Sequence, residues 1–459
     1  DPITVNGELV LDQGIFDIGS NLLQLGKDAI ITDRDGGSAF SETNMIQTFL
    51  SFTDAGVRKY FPAISSNTTF VYPIGSQNKY TPVTLNISEI TSSNGYIRVK
   101  AANEPHVSIL DDPETSLVEP KNVLQYYWTV DAVGIEGFRS EVSMQAYADD
   151  VVPASEKDNY IVARIRANED AWNKEDITNL GVAENIYFDG TNSILVFNGY
   201  FFEGTNDLGI SGDYTAGLAS AIPDKVPTVI SVNTGDWNSV STWAVYDPVS
   251  GTVGAAGEGI PQNGPLGSIV YIRENVGVSQ NGRIAYRTII ESGSILDFKS
   301  TINNRLGNVS GKGRLRVENG SLPAGFYEEF ATTDGGIFEY SGNGDYYVLG
   351  GINTLNSVEF TGTGSRKLPD GTLRINGNLL IDGPVVNMVE TTALQIGKDL
   401  DFNSGSLELG SESKFVFNGN APQSIGGNQP FTGENSLQQI VVDNTSGVNV
   451  NNDLIINSQ

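Results

Sequence analysis

Short apolar runs separated by glycine, asparagine, aspartate and serine recur from about residue 264 to the end of the chain, as at 268–272, 294–298, 314–317, 336–340, 357–360, 414–417 and 439–442. Neighbouring runs commonly lie ten or twenty residues apart, and no 3.6-residue period connects them. This spacing predicts a parallel β-helix. Each coil sets an inward row of Ile, Leu, Val and Phe above the last, while Gly and Asn take the corners, where φ is often positive. At about 20–25 residues per coil, the segment holds about eight or nine. A string of β-sandwiches, with strands every ~8–12 residues, is the alternative.

Residues 1–42 read as one or two coils of the same kind. Between about 43 and 222 the texture changes: the strands are longer, most of the tyrosines lie here, and the glycines lose their even spacing. Runs such as 69–73, 84–87, 96–100, 125–130 and 159–164 alternate polar and apolar, as half-buried antiparallel sheet does, which predicts a β-sandwich. Trp128 and Trp172 are expected in its core. Residues 223–263 carry Pro223, Pro227, Pro248, Pro261 and many glycines, and are expected to form a connector and solenoid cap, with Trp237 and Trp243 covering the apolar end of the coils. The fold expected is therefore all-β: a parallel β-helix over 1–42 and 264–459, with an inserted antiparallel β-sandwich domain over 43–222.

One motif occurs twice. Val5-Asn6-Gly7-Glu8-Leu9-Val10-Leu11-Asp12 returns 370 positions later as Ile375-Asn376-Gly377-Asn378-Leu379-Leu380-Ile381-Asp382. A second match follows each copy, Leu23-Gln24-Leu25-Gly26-Lys27-Asp28 and Leu394-Gln395-Ile396-Gly397-Lys398-Asp399, at a spacing that differs by one residue. Internal similarity of this kind marks stacked repeats. The stretch 447–456 resembles the strand pair that would precede a further copy, so the chain is expected to be about one period of a longer tandem array.

Composition agrees with short strands and tight turns: 39% of residues are hydrophobic, only 18% are charged, and 52 are glycine. The formal net charge of −28 repels polyanions, and no basic patch offsets it, so nucleic acid is not an expected partner. There is no cysteine, so packing and backbone ladders must hold the fold. No run approaches the ~18–20 apolar residues that span a bilayer, and Asp1 follows no signal peptide, so the expected protein is not membrane-inserted and is either processed or cut from something longer.

Candidate chemistry is sparse. His106 is the one histidine, so Cys-His nucleophiles and multi-histidine zinc sites are excluded, and His106 itself is expected at a turn or strand edge. Parallel β-helices can host polysaccharide lyases and glycosidases, which use grouped carboxylates, often with Ca²⁺. Here Asp297, Glu318, Glu339, Glu359 and Asp382 fall on different coils and read as outward, solvated positions. Asp33-Arg34-Asp35-Gly36-Gly37 has a form that suits a calcium loop, with Asp33 and Asp35 as ligands, but it lacks the remaining oxygens of an EF-hand. A plain turn is the competing reading, and Asp111-Asp112 and Asp149-Asp150 are similar acidic turns. No phosphate-binding loop is present. No catalytic centre is expected.

The order of segments resembles the large exported proteins of Bacteroidota, including surface adhesins sent out through the type IX secretion system. The residues that carry the resemblance are Tyr72-Pro73-Ile74-Gly75, Tyr80-Thr81-Pro82-Val83-Thr84-Leu85, Tyr127-Trp128-Thr129-Val130, Tyr214-Thr215-Ala216-Gly217, Gly235-Asp236-Trp237-Asn238 and Ser241-Thr242-Trp243. It covers nearly the whole chain, although the family's C-terminal sorting domain has no counterpart after Asn444. It implies an extracellular or cell-surface structural or adhesive module, with surface glycans or other cells as targets and assembly into a homo-oligomer or fibre. A carbohydrate-binding or polysaccharide-cleaving β-helix is the alternative.

Overall fold

The computed structural model describes residues 3–109, 122–167, 169–174, 187–188, 193–202, 210–348, 352–389, 391–410, 413–427 and 439–451. The acidic pair Asp111-Asp112 lies outside them. The protein is all-β, 53% strand and 3% helical, and its fold is a β-solenoid of about 18 turns. The chain divides into two compact units, Asp1–Val226 and Pro227–Gln459.

The first unit opens with parallel coils. Ile3–Val5, Leu23–Leu25 and Val57–Tyr60 stack with Ile3 opposite Leu23 and Leu23 opposite Val57. Phe16–Gly19, Ile46–Thr48 and Ile74–Ser76 form a second parallel stack, and Glu8–Val10 pairs with Ile30–Thr32. Parallel pairing thus runs well past residue 42. Two-residue alternation places one face in the core whichever way the neighbouring strand runs, so the pattern alone does not separate parallel from antiparallel pairing.

From Val57–Tyr60 onward the same sheet continues antiparallel, through Ser92–Ala102, Tyr127–Glu136, Gly212–Leu218 and Tyr160–Arg166. A second antiparallel sheet joins Thr68–Tyr72, Val83–Glu89, Arg139–Tyr147 and Ser193–Phe202. Coil and antiparallel residues share one core, in which Leu23, Ile46, Leu85, Val99, Trp128 and Val142 are fully buried. The polar tips of three buried aromatics find partners, as burial favours. The Tyr126 hydroxyl donates to Thr81 Oγ1 at 2.6 Å, Trp128 Nε1 donates to the Thr81 carbonyl at 3.3 Å, and the Tyr72 hydroxyl donates to the Ile97 carbonyl at 2.9 Å.

The second unit is a parallel solenoid from Thr228 on. Thr228–Ser231 already pairs in parallel with Ser268–Ile272, followed by Ala285–Ile290, Arg305–Gly311 and Ala324–Phe326. The longest stack carries an inward row of Leu296, Leu315, Phe338, Val358, Leu379, Leu400 and Ile425, all buried. Corner side chains bond to the next coil at offsets of 20, 21 and 25 residues, the coil length expected. The proline-rich stretch is not a free linker. Trp237 and Trp243 lie edge to face at 5.3 Å, fully buried, and their indole nitrogens donate to the carbonyls of Pro265 and Trp237 at 3.1 and 2.8 Å. They fill the first coil, where the strands are too short to do so.

The two copies of the repeated motif occupy equivalent corners. They share one corner bond, Gly26 N donating to Val5 O at 2.8 Å in the first and Gly397 N to Ile375 O at 2.7 Å in the second; the next bond differs, Gly7 O accepting from Ile30 N at 3.0 Å and Gly377 O from Lys398 N at 3.1 Å. Backbone crowding requires the glycine at the second corner, where a Cβ on Gly397 would lie 2.4 Å from Asn376 O; at the first, a Cβ on Gly26 would displace only the Asn6 side chain, whose Oδ1 would lie 2.4 Å away. Each copy adds its own clasp. Asn378 Oδ1 accepts from Asp399 N, and Asp399 Oδ1 accepts from Ser424 N, a ladder of side chains capping the next coil. At the first corner the Lys59 ammonium donates to the carbonyls of Gly26 and Lys27 at 2.6 and 2.7 Å, and burial pulls its pKa down to about 8.

Candidate functional site

Asp33 is committed to its own loop. Its Oδ1 accepts from the backbone amides of Asp35 and Gly37 at 2.9 and 2.8 Å, and its Oδ2 from that of Ala39 at 2.7 Å. These bonds, those to Ala39 and Gly37 foremost, hold the carboxyl below the ordinary aspartate range. A calcium ion needs six to eight oxygens, roughly, drawn from several residues. Among the described residues no group of three or more His, Cys, Asp or Glu side chains is placed to hold a metal. A calcium ion at Asp33 and Asp35 would therefore need most of its oxygens from carbonyls or amides, and would compete with the three backbone amides that already hold Asp33. Calorimetry with millimolar Ca²⁺ is expected to show no binding heat, and a saturable exotherm removed by Asp33→Asn would contradict this. Of the other acidic pair, Asp149 is exposed, whereas Asp150 is buried and bonded to Lys79 Nζ at 2.7 Å.

His106 sits in a turn, as expected, but it is buried rather than at an edge. Its Nδ1 lies 2.9 Å from Ser108 Oγ and its Nε2 3.1 Å from Asp213 Oδ2. Thr129 Oγ1 donates to Asp213 Oδ1, and Trp172 Nε1 donates to Ser108 Oγ at 3.1 Å. The connectivity is that of a serine–histidine–aspartate relay. The setting is not: Ser108 is only 8% exposed and its oxygen already accepts the indole proton, so a substrate carbonyl has no approach. The cluster instead ties the turn at Val107–Ile109 to strands Tyr127–Glu136 and Gly212–Leu218. Sequence reasoning could not find it, because Asp213 lies 107 positions from His106.

Burial alone would raise the Asp213 pKa, but the hydrogen bond and charge of His106, the Thr129 hydroxyl and the Lys100 charge outweigh it and hold the carboxyl below its ordinary range. A carboxyl depressed in the folded state contributes stability above its unfolded pKa and loses it as pH falls through the folded value. The urea midpoint is thus expected to fall as pH drops below about 4, the unfolded aspartate value, and Asp213→Asn should flatten that fall. Equal slopes for both proteins would exclude the effect.

On the solenoid, Asp297, Arg316, Glu339 and Glu359 stand in register on four successive coils. Glu318 and Asp382 are exposed, as expected, but Glu339 is buried. Its Oε2 accepts from Arg314 Nη1 at 3.1 Å and Arg316 Nε at 2.8 Å, and its Oε1 from Thr361 Oγ1 at 2.9 Å. Arg314 also reaches Glu359 at 2.7 Å, and Arg316 reaches Asp297 at 3.6 Å. Two carboxylates do meet across coils, and the arginines of a neighbouring coil neutralise them. Stacking at the coil repeat brings these charges together, a proximity that linear spacing hides.

The fold defines an all-β solenoid protein whose described polar clusters bind their own chain. No family model matches the chain, and neither a curated protein nor a solved structure does. Among the described residues no helix is long and apolar enough to cross a membrane.

Proposed function

We propose that the chain is a structural and adhesive module of an extracellular surface protein or fibre, about one period of a longer tandem array. In this reading the antiparallel sheets of the first unit form a β-sandwich domain inserted in a β-helical shaft, and the module belongs to the exported Bacteroidota proteins its segments resemble. The observation that carries it is the repeated motif: Val5 and Ile375, 370 positions apart, accept the matching corner hydrogen bond from Gly26 and Gly397, one in each unit. Stacked coils give length and stiffness through backbone ladders along the axis, which suits a shaft that extends a binding surface. The charged face of the second unit supports a structural rather than a cleaving role, since Glu339 is held by two arginines. Immunogold labelling of the source cells with antibody to this chain should mark surface filaments; label confined to the cell interior would overturn the reading. A depolymerase screen across acidic and neutral polysaccharides tests the rival enzyme, and activity lost on Glu339→Gln would establish it.

A further inference from the structure

The first unit holds a cavity of about 420 Å³. It lies between the loop after strand Ile46–Thr48, the hairpin turn joining Ile74–Ser76 to Lys79–Tyr80, and the segment at Asn103-Glu104. Its lining is mostly polar: Ser51, Ser76, Gln77, Lys79, Asn103 and Glu104 supply hydroxyl, amide, ammonium and carboxylate groups. At its rim stands Phe49, 67% exposed, with the edge of its ring over the backbone of Gly19. Among the described phenylalanines it is the one left exposed, and a large aromatic open to water beside a polar hollow is a feature that marks binding surfaces.

The backbone around the cavity is strained. Six non-glycine residues have positive φ among those described, and three cluster here: Leu50 at 50°, Gln77 at 43° and Asn78 at 69°. A two-residue hairpin turn needs this conformation, but glycine or asparagine provides it at least cost, and a buried leucine adopts it rarely. The strain is locked in by specific bonds. Asn103 N donates to Leu50 O at 2.7 Å, the Tyr147 hydroxyl donates to Asn78 O at 2.8 Å, and Lys79 Nζ donates to Asn103 Oδ1 at 2.9 Å while paired with Asp150. Such over-determined strain is characteristic of sites where a side chain must be presented. Here it places the Gln77 amide and the Phe49 ring on one rim.

We infer that this cavity binds a neutral saccharide. A sugar ring offers an apolar C–H face to an aromatic ring and hydroxyls on its edge to amide, hydroxyl and charged groups, the two chemistries brought together here. The volume lies at the lower end of the roughly 300–1,000 Å³ of ligand cavities, suited to one or two rings. Glu104 in the lining and the net charge of −28 disfavour an acidic ligand. The inference does not depend on the shaft reading, since a surface filament and an isolated domain could each carry such a pocket.

The test is a printed glycan array probed with the full chain, with Phe49→Ala, with Gln77→Gly, and with Val249→Ala, an exposed position in the other unit, as control. The wild type and the control are expected to be retained by at least one neutral glycan class, with Phe49→Ala at least tenfold weaker. Gln77→Gly should weaken retention severalfold while leaving the thermal midpoint unchanged or raised, because glycine relieves the left-handed strain. Retention of no neutral glycan, retention of acidic glycans alone, or equal retention by Phe49→Ala overturns the inference. A lowered midpoint in Gln77→Gly with unchanged binding would do the same by making Gln77 a structural residue.

Discussion

Replacing Arg366 with methionine is expected to destabilise the second unit by about 4 kcal/mol, from the loss of several charge-assisted bonds to buried acceptors. Arg366 is fully buried, and among the described residues no carboxylate forms an ion pair with it. Its guanidinium donates instead to six backbone carbonyls, those of Ser341, Gly342, Gly344, Thr361, Thr363 and Ser365, and lies over the Tyr346 ring at 4.3 Å. The carbonyls converge because the corner turns are left-handed: Gly342 and Gly362 have φ of 89° and 82° on successive coils, and a Cβ on Gly362 would lie 2.0 Å from Gly342 O. Methionine fills similar volume and supplies no donor, so the carbonyls lose partners that water cannot replace. For a unit of this size the thermal midpoint should drop by about 10 °C. Lysine should recover only part, since a point charge with three donors cannot span two coils as the planar fork does. A midpoint within 2 °C or so of wild type for Arg366→Met would show that these carbonyls need no donor.

Arg366 also marks where the sequence stopped being informative. The strands of the second unit were legible because Leu296, Leu315, Phe338, Val358 and Leu379 recur at the coil interval between polar corners. The repeated Asn6-Gly7 and Asn376-Gly377 corners were legible from their recurrence alone: a Cβ on Gly377 would lie 2.3 Å from Ser357 Oγ, whereas Gly7 has open space around it. Ser365-Arg366-Lys367, by contrast, reads as an exposed polar turn. Only the inward carbonyls of two coils make it an interior cation, and no side-chain pattern records where carbonyls point.

The first unit was harder for a different reason. Leu23-Gln24-Leu25 and Val57-Arg58-Lys59-Tyr60 belong to one parallel stack, yet the second also begins the antiparallel sheet with Ser92–Ala102. A strand at such a junction carries the same alternation on both sides. The His106 cluster and the cavity were invisible in the sequence because each assembles residues from distant strands and turns. The one local sign was Gln77-Asn78, a hairpin turn written without glycine.

Glu339→Ala is expected to cost about 3 kcal/mol, the lower end of what removal of one partner from a buried ion cluster produces. The carboxylate is 5% exposed and each arginine 28%, so water relieves part of the charge left on Arg314 and Arg316 but could not relieve Glu339 if they were removed. Arg316→Ala should therefore cost less than Glu339→Ala, because Arg314 still holds the carboxylate. The double variant should fall short of the sum by about 1 kcal/mol or more, as residues in one network do. Glu359 supplies an independent readout. Burial raises its pKa, Arg314 opposes that, and the Glu339 charge raises it further. Glu339→Gln removes this last contribution, so the Glu359 carboxyl, followed by carbon-detected NMR, should titrate at lower pH in the variant than in the wild type. An unchanged titration together with strict additivity would mean that the ladder is a row of separate surface pairs, each worth under about 1 kcal/mol, and that apolar stacking alone holds these coils together.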